Sequence, residues 1–131
     1  MAGSVGPVIR AGGVLVVDDD AGIRELLRTI LEGAGYEVRT AIDGNEALRL
    51  FQERRPDLIL LDLHMPGVDG WGFARAYRAE PEPHPPVIVI TAVQDAQRSA
   101  EEIGAAGHLA KPFDLHELLA IVDHFAGHPP S

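Results

Sequence analysis

The sequence predicts an α/β protein built on a parallel sheet that helices cover on both faces. Short apolar runs alternate five times with segments whose apolar residues recur at helical spacing. Two of the runs, residues 58–61 and 87–90, are apolar at every position, as is typical of strands buried on both faces. Five such units imply right-handed crossover helices and a doubly wound sheet.

Each element has a signal in the chain. The predicted strands are residues 13–17, residues 36–41, the aliphatic run between Pro56 and Asp62, residues 87–90 with Thr91 and Ala92 at their end, and residues 107–110 before Lys111. The first predicted helix starts at Ala21 and is stopped by Gly33 and Gly35. The others are residues 47 to about 54, 71 to about 79, 95 to about 103, and a last helix that ends before Gly127. Capping boxes at Asp43 with Glu46 and at Asp114 with Glu117 mark two helix starts.

The composition indicates one globular domain. The chain has 131 residues, of which 46% are hydrophobic. We expect a flexible segment over residues 1–12, the domain over residues 13–126, and a tail or linker start over residues 127–131. The absence of cysteine excludes disulfides and thiolate metal sites, and no stretch fits a signal peptide or a membrane span. A cytoplasmic protein is therefore predicted. The net charge of −9 argues against direct nucleic-acid binding.

Residues able to do chemistry follow four of the predicted strands. Asp18 and Asp19 follow the first strand, Asp62 ends the third, Thr91 ends the fourth and Lys111 follows the fifth. The carboxyl ends of parallel strands meet at the edge where α/β proteins bind ligands. Each residue alone has a plain structural explanation, such as a helix cap or a solvated lysine. Their coincidence at one edge favours a site.

The residue types indicate metal-assisted phosphoryl chemistry. Three carboxylates in one crevice repel one another, and one lysine cannot neutralise them. Mg²⁺ takes oxygen ligands and is usually held by one or two carboxylates plus a phosphate, so we expect Mg²⁺ as the cofactor. Lys111 and the Thr91 hydroxyl can each bind an oxygen of a phosphoryl group. Asp62 is then the nucleophile, as in proteins that form aspartyl phosphates.

The segments that carry these residues resemble one known family. Residues 14–20, 57–70, 89–92 and 109–113 are similar, in order and spacing, to the receiver domain of two-component response regulators, including its single-domain, CheY-like members. The likeness covers residue 13 to about residue 126. It implies a flavodoxin-like (βα)₅ fold with strand order 2-1-3-4-5. It also implies a cis peptide bond between Lys111 and Pro112.

The resemblance implies roles for the acidic residues. Asp62 would be the phosphoacceptor, and the donor would be a sensor histidine kinase or a phosphotransfer protein. Asp19 and Asp62 would bind Mg²⁺ together with the backbone carbonyl of His64, and Asp18 would act through water. The protein would then be no enzyme in the usual sense, because it would catalyse only its own phosphorylation and dephosphorylation.

The resemblance also implies a switch. Thr91 and Lys111 would bind the phosphoryl group, and phosphorylation would reshape a face built from helix four, strand five and helix five, where a downstream protein binds. Receivers usually carry Tyr or Phe three residues before the lysine, whereas this chain has His108. We expect His108 to act as the switching ring with Thr91; a pH-sensitive ring and a loss of the coupling stay open. The expected assembly is a monomer or a phosphorylation-dependent dimer.

Three other functions compete with this interpretation. A phosphorylation-independent docking module stays open because of His108. A haloacid-dehalogenase-like phosphatase would explain the D-x-D pattern of residues 18–20, but Ala21 and Gly22 stand where Thr or Val is expected, and there is no room for a cap. A flavodoxin is disfavoured because three acids after the first strand would repel the phosphate of FMN. With no output domain after Ser131, we expect a single-domain regulator or a receiver cut from a longer chain.

Overall fold

The computed structural model describes residues 13–63, 70–82, 84–92 and 96–126, with the backbone alone for residues 70, 71, 92 and 96. These residues form strands and helices in strict alternation. The strands are β1 (Val14–Val17), β2 (Val38–Ala41), β3 (Leu58–Asp62), β4 (Val87–Ala92) and β5 (Gly107–Lys111). The helices are α1 (Ala21–Gly33), α2 (Gly44–Glu53), α3 (Gly70–Arg78), α4 (Ala96–Ile103) and α5 (Leu115–Ala126).

The strands form one parallel sheet in the order β2-β1-β3-β4-β5. In the middle of it, Val17 of β1 is aligned with Ala41 of β2 on one side and with Leu61 of β3 on the other. The chain order reverses beside β1, and doubly wound proteins bind ligands in the crevice that this reversal opens. The predicted fold class and the strand order 2-1-3-4-5 are confirmed.

The central strands are apolar on both faces because helices cover both faces. On one face, Leu15, Ile59 and Val89 belong to a buried cluster with Phe51 of α2 and Phe73 of α3. On the other face, the alternate residues of the same strands pack with α1 and α5. Each large aliphatic side chain that is buried contributes roughly 1.5–3 kcal/mol. This two-sided core fixes the strand ends and therefore the residues that follow them.

The predicted start of the second strand is wrong. β2 begins at Val38 rather than at Tyr36, because the amide of Tyr36 still donates to the carbonyl of Leu31 at the end of α1 (3.0 Å). Gly35, with φ +99°, turns the chain there. Residues with positive φ are usually glycines, since other side chains are strained in that region. The strand can therefore start only after this turn is complete.

The predicted start of the second helix is also wrong, although its capping box is confirmed. Asp43 Oδ1 accepts a hydrogen bond from the amide of Glu46 (2.9 Å), and the Glu46 carboxylate accepts from the amide of Ile42 (2.7 Å). With the cap at Asp43, α2 begins at Gly44 rather than at Ala47. The helix ends at Glu53, one residue before the predicted end.

The second capping box is confirmed as well and starts α5. The amide of Asp114 donates to Glu117 Oε1 (3.2 Å), and the amide of Glu117 donates to Asp114 Oδ1 (2.8 Å). Smaller differences concern α3, which spans residues 70–78 rather than 71–79, and β5, which includes Lys111. The predicted start of the fourth helix at Asp95 lies outside the described residues, and α4 begins at Ala96.

Two further expectations concern the backbone and the termini. The peptide bond between Lys111 and Pro112 is cis, as the family resemblance implied. Residues 1–12 and 127–131, predicted to be flexible or linker segments, lie outside the part of the chain that the structure describes. Within that part, no helix combines the length and the apolar character needed to cross a membrane.

Candidate functional site

The carboxyl edge of the sheet collects the residues that the sequence singled out. Asp62 is the last residue of β3, Thr91 lies near the end of β4, and Lys111 is the last residue of β5. Asp18 and Asp19 follow β1, which neighbours β3. Because the strands are parallel, all five residues lie at the same edge. His64, proposed to contribute its carbonyl, lies outside the described residues.

Backbone hydrogen bonds hold the acidic loop between β1 and α1. The amide of Asp18 donates to the carbonyl of Ala41 at the end of β2 (3.1 Å), and Asp18 Oδ1 accepts from the amide of Asp20 (2.9 Å). Asp20 caps α1, since its Oδ1 accepts from the amide of Ile23 (3.1 Å). A backbone amide of its own loop therefore holds one oxygen of the Asp18 carboxylate.

Three carboxylates converge at this edge. One oxygen from each of Asp18, Asp19 and Asp62 lies within 4.8 Å of the other two. Asp18 and Asp62 are buried, at 1% and 3% exposure, whereas Asp19 is exposed. Burial, together with the nearby charge of Asp62, raises the pKa of Asp18 to about 6, although the Asp20 amide and Lys111 act in the opposite direction. The carboxylates thus destabilise one another in the absence of a cation.

Lys111 is the cation that the fold itself supplies. Its Nζ lies 3.6 Å from Asp62 Oδ2 and 3.8 Å from Asp18 Oδ2. Both distances exceed the usual range for a hydrogen bond from an ammonium to a carboxylate, about 2.7–3.2 Å. Among the ion pairs that the described residues make with these carboxylates, Lys111 contributes one positive charge against three negative ones, so the carboxylates are not neutralised by it alone.

The cluster fits a hard divalent cation. Asp18 Oδ2 is buried and has no hydrogen-bond partner in the described part of the chain, which leaves it free to coordinate an ion. The three groups that converge offer carboxylate oxygen only. Oxygen donors suit Mg²⁺, whereas zinc favours nitrogen and sulfur ligands. The structure thus provides a set of residues that can hold Mg²⁺.

Thr91 adds a hydroxyl group at the same edge of the sheet as the carboxylates. The neighbouring residue Ile90 is aligned with Asp62 across β3 and β4, so Thr91 lies one position further toward the edge. Thr91 is fully buried, and its Oγ1 has no hydrogen-bond partner among residues that the structure describes. A buried hydroxyl without a partner is costly. It is therefore available to donate to an oxygen atom of a bound group.

His108 is placed on the edge strand, away from the carboxylates. It pairs in register with Val89 of β4, and its side chain is exposed. The outer residues of α4, which packs near β5, are also exposed; they are Gln97, Arg98, Glu101 and Glu102. The structure places His108 on the α4, β5 and α5 side of the molecule but shows it in one conformation, so its switching role stays a prediction.

Sequence reasoning missed one residue at this edge, Arg24. Its Nη1 donates to the backbone carbonyl of Asp18 (2.9 Å), and its amide donates to the carbonyl of Asp20 (3.0 Å). The available signal was its spacing, four residues after the capping residue Asp20 and so one turn into α1. That spacing does not show where a long side chain points.

The chain belongs to the family described as response regulator receiver domain, whose model matches residues 14–123. Curated relatives include the probable transcriptional regulator ycf27 of Cyanophora paradoxa, 46% identical over 109 residues, and the DNA-binding transcriptional regulator NtrC of Salmonella typhimurium, 40% identical over 122 residues. These matches cover 82% and 92% of this chain but 45% and 26% of the relatives. The chain thus spans less than half the length of these relatives.

Solved structures agree with this membership. The chemotaxis response regulator CheY4 of Vibrio cholerae is 36% identical, with a TM-score of 0.79 over 87% of this chain and 98% of that chain. A putative response regulator from Chloroflexus aurantiacus is also 36% identical, with a TM-score of 0.80 over 89% of this chain and 99% of that chain. The likeness is therefore to whole receiver domains.

Membership defines the general function. Receiver domains are signalling modules of two-component phosphorelays, they are typically not enzymes, and they bind Mg²⁺ at an acidic pocket. In this chain, Asp18, Asp19 and Asp62 form an acidic group at the sheet edge. The phosphatase and flavodoxin alternatives have no support from the family match.

Proposed function

We propose that the protein accepts a phosphoryl group on Asp62 from a histidine kinase or a phosphotransfer protein, in a reaction that depends on Mg²⁺. The observation that carries this proposal is the arrangement at the sheet edge: three carboxylates whose oxygens lie within 4.8 Å of one another, with Lys111 Nζ 3.6 Å from Asp62 Oδ2. An ordinary surface cluster of acids would not bury two of its members.

The transfer itself needs a nucleophile, and in this proposal Asp62 provides it. A carboxylate oxygen of Asp62 attacks the phosphorus of a phosphohistidine, an oxygen–phosphorus bond forms and the nitrogen–phosphorus bond breaks. The imidazole leaves and takes up a proton, and Asp62 becomes an acyl phosphate. Hydrolysis of this acyl phosphate releases inorganic phosphate and restores the carboxylate. The protein thereby catalyses only its own phosphorylation and dephosphorylation.

The neighbouring residues neutralise and orient the phosphoryl oxygens. Lys111 supplies a charged donor, and Thr91 supplies a buried hydroxyl that has no hydrogen-bond partner among the described residues. Asp18, Asp19 and Asp62 would hold Mg²⁺, with Asp18 acting through a water molecule and the His64 carbonyl completing the set. When bound, Mg²⁺ supplies positive charge that offsets the repulsion among the carboxylates and phosphoryl oxygens.

The output would be a change in protein binding. A phosphoryl group adds roughly 1.5 to 2 negative charges beside Thr91. In the proposed switch, Thr91 and His108 move toward the site, and the α4, β5 and α5 face takes a different shape for a downstream protein. Direct binding to nucleic acid is not proposed for this domain, because its net charge is −9. The assembly is a monomer or a phosphorylation-dependent dimer.

The test compares two chemically identical substitutions at opposite ends of β3. The protein is incubated with Mg²⁺ and acetyl phosphate, and the intact mass is recorded for wild type, Asp62→Asn and Asp57→Asn. Asp57 precedes β3 and accepts a hydrogen bond from the amide of Gly13 (3.2 Å), far from the carboxyl edge. We expect an adduct of about 80 Da, one phosphoryl group, on wild type and Asp57→Asn but not on Asp62→Asn.

Two results would contradict the proposal. An adduct that persists in Asp62→Asn would place the phosphoryl group elsewhere. The absence of an adduct on folded wild-type protein would favour the phosphorylation-independent docking module, for which His108 is the motivating departure from the family pattern.

A further inference from the structure

The peptide group between Asp18 and Asp19 joins two of the candidate Mg²⁺ ligands. Its carbonyl oxygen, Asp18 O, accepts a hydrogen bond from Arg24 Nη1 at 2.9 Å. A peptide group is planar, so a bond to this oxygen restrains the rotation of the whole plane. The directions in which the side chains of Asp18 and Asp19 leave the backbone depend on that rotation.

The sheet does not provide this restraint. The paired registers of β1 with β2 and with β3 end at Val17, and the amide of Asp18 makes the last contact to β2, with the carbonyl of Ala41 (3.1 Å). Beyond this point the loop is held from the α1 side. The amide of Arg24 binds the carbonyl of Asp20 (3.0 Å), and its side chain reaches back to Asp18. Arg24 therefore attaches the acidic loop to the first turn of α1 at two points.

We propose that Arg24 is a positioning residue that orients Asp18 and Asp19 for Mg²⁺ through the carbonyl of Asp18. This inference rests on the proposed function, because it assigns a residue to the same metal site. Arg24 acts through the backbone and does not touch the ion. Pre-oriented ligands bind a cation more tightly, because less conformational freedom is lost on binding.

If Arg24 acted through its charge alone, removing it would have the opposite effect on the affinity for a divalent ion. The guanidinium is positive, and a positive charge near a cation site repels the cation. If charge were the main effect, removal of Arg24 would tighten binding of a divalent ion. If positioning is the main effect, removal will weaken binding.

Arg28 provides the matched control. It lies one turn further along α1, where it donates to Thr40 Oγ1 (3.2 Å) and pairs with Glu25 and Glu32 (3.9 and 3.7 Å). A substitution of Arg28 removes the same charge from the same helix without removing a contact to the acidic loop.

The experiment measures binding of Mn²⁺, as a substitute for Mg²⁺, by electron paramagnetic resonance of the free ion, with Mg²⁺ competition. The variants are Arg24→Met and Arg28→Met, since methionine keeps an unbranched chain and suits a helix. We expect Arg24→Met to weaken Mn²⁺ binding about 10-fold, the lower end of the effect of residues that orient metal ligands. Arg28→Met should leave the Mn²⁺ affinity unchanged or slightly higher. Arg24→Lys can still donate a hydrogen bond to the Asp18 carbonyl, but from a shorter and non-planar group, so its Mn²⁺ affinity should lie between those of Arg24→Met and wild type.

Circular dichroism and urea unfolding in EDTA show whether each variant is folded, and Arg24→Ala replaces Arg24→Met if the latter is not. An affinity in the folded Arg24 variant equal to or higher than that of Arg28→Met overturns the inference. The variant Asp62→Asn distinguishes a failure of the inference about Arg24 from a failure of the proposed function. If Asp62→Asn binds Mn²⁺ as well as wild type, the metal site itself is wrong; if it binds more weakly and Arg24→Met does not, only the role of Arg24 is wrong.

Discussion

Lys111 Nζ lies 3.6 Å from Asp62 Oδ2, which connects the end of β5 to the end of β3 across β4. The ion pair is close enough to neutralise charge but too long for a direct hydrogen bond. The protons of the Lys111 ammonium group are therefore available to form hydrogen bonds with an oxygen atom that binds between Lys111 and Asp62. This is the arrangement expected if Lys111 binds a phosphoryl group on Asp62, as proposed above.

Lys111 is the single lysine among the 131 residues, so its role can be tested without interference from others. Lys111→Met should slow phosphorylation by acetyl phosphate about 100-fold, because one charged donor to the transferred oxygens is lost. The rate is read from a time course of intact mass with saturating Mg²⁺. Arg49→Met, which removes an exposed charge from α2 that pairs with Glu46 and Glu53, is the control. Equal phosphorylation rates in wild type and Lys111→Met would mean that Lys111 does not take part in the reaction.

Thr91→Val should raise the stability of the protein but abolish its structural response to a phosphoryl mimic. Valine has nearly the same shape as threonine and removes a buried hydroxyl that has no hydrogen-bond partner in the described ranges of the chain, so the metal-free protein should gain about 1 kcal/mol in its free energy of unfolding. The same change should abolish the structural response to beryllofluoride, a stable mimic of the phosphoryl group. Urea unfolding in EDTA and hydrogen exchange of residues 96–111 measure the two effects.

Thr40→Val is the matched control for Thr91→Val. Thr40 Oγ1 accepts a hydrogen bond from Arg28 (3.2 Å), so this substitution breaks a contact and should not stabilise the protein. Its response to beryllofluoride should be that of wild type. A loss of stability in Thr91→Val would mean that its hydroxyl has a partner in the folded protein.

The raised pKa of Asp18 predicts a pH dependence of stability. Its folded-state pKa of about 6 is above the unfolded value of 3.8, so the folded state binds the proton more tightly. The contribution to stability is therefore fully present below about pH 4 and is lost as the pH rises through about 6. The difference between the two pKa values corresponds to up to about 3 kcal/mol in the free energy of unfolding.

Asp18→Asn should remove this dependence. In EDTA, the variant should be more stable than wild type at about pH 7, and the difference should shrink as the pH falls toward about 4. Asp57→Asn, the same substitution at the opposite end of β3, is measured in parallel. Urea unfolding at several pH values gives the comparison; a difference that grows as the pH falls would mean that the pKa shift has the wrong sign.

His108 should affect the response of the protein but not its phosphorylation. The side chain is exposed on β5, away from the carboxylates, so His108→Ala should acquire the phosphoryl group at the wild-type rate. The change in hydrogen exchange of α4 and β5 on addition of beryllofluoride should be smaller than in wild type. An unchanged response would show that the coupling to His108 has been lost in this protein.

The fold was predictable because its signals are local and agree with one another. Apolar runs at 58–61 and 87–90 predicted buried strands, and the residues that follow the strands had to meet at one edge once the strands were parallel. The start of β2 was not predictable, because it depends on the turn at Gly35 and the contact between Tyr36 and Leu31. Sequence patterns show which residues are apolar. They do not show at which residue the turn after α1 is complete and β2 can begin.

The candidate site was predictable to the level of residues but not of contacts. Asp18, Asp62, Thr91 and Lys111 lie where the strand ends predicted. Arg24 was missed because its contribution is made through a backbone carbonyl, which no residue pattern records. The burial that raises the pKa of Asp18 depends on tertiary packing, which likewise is not visible in the sequence.

The most direct test of the central claim locates the phosphoryl group on the chain. Protein phosphorylated with acetyl phosphate is treated with hydroxylamine, which displaces phosphate from an acyl phosphate and leaves a hydroxamate at the modified residue. Tandem mass spectrometry of the peptides then identifies that residue. We predict a hydroxamate on Asp62 and on no other carboxylate; a hydroxamate on Asp18 or Asp19, with Asp62 unmodified, would contradict the proposed function.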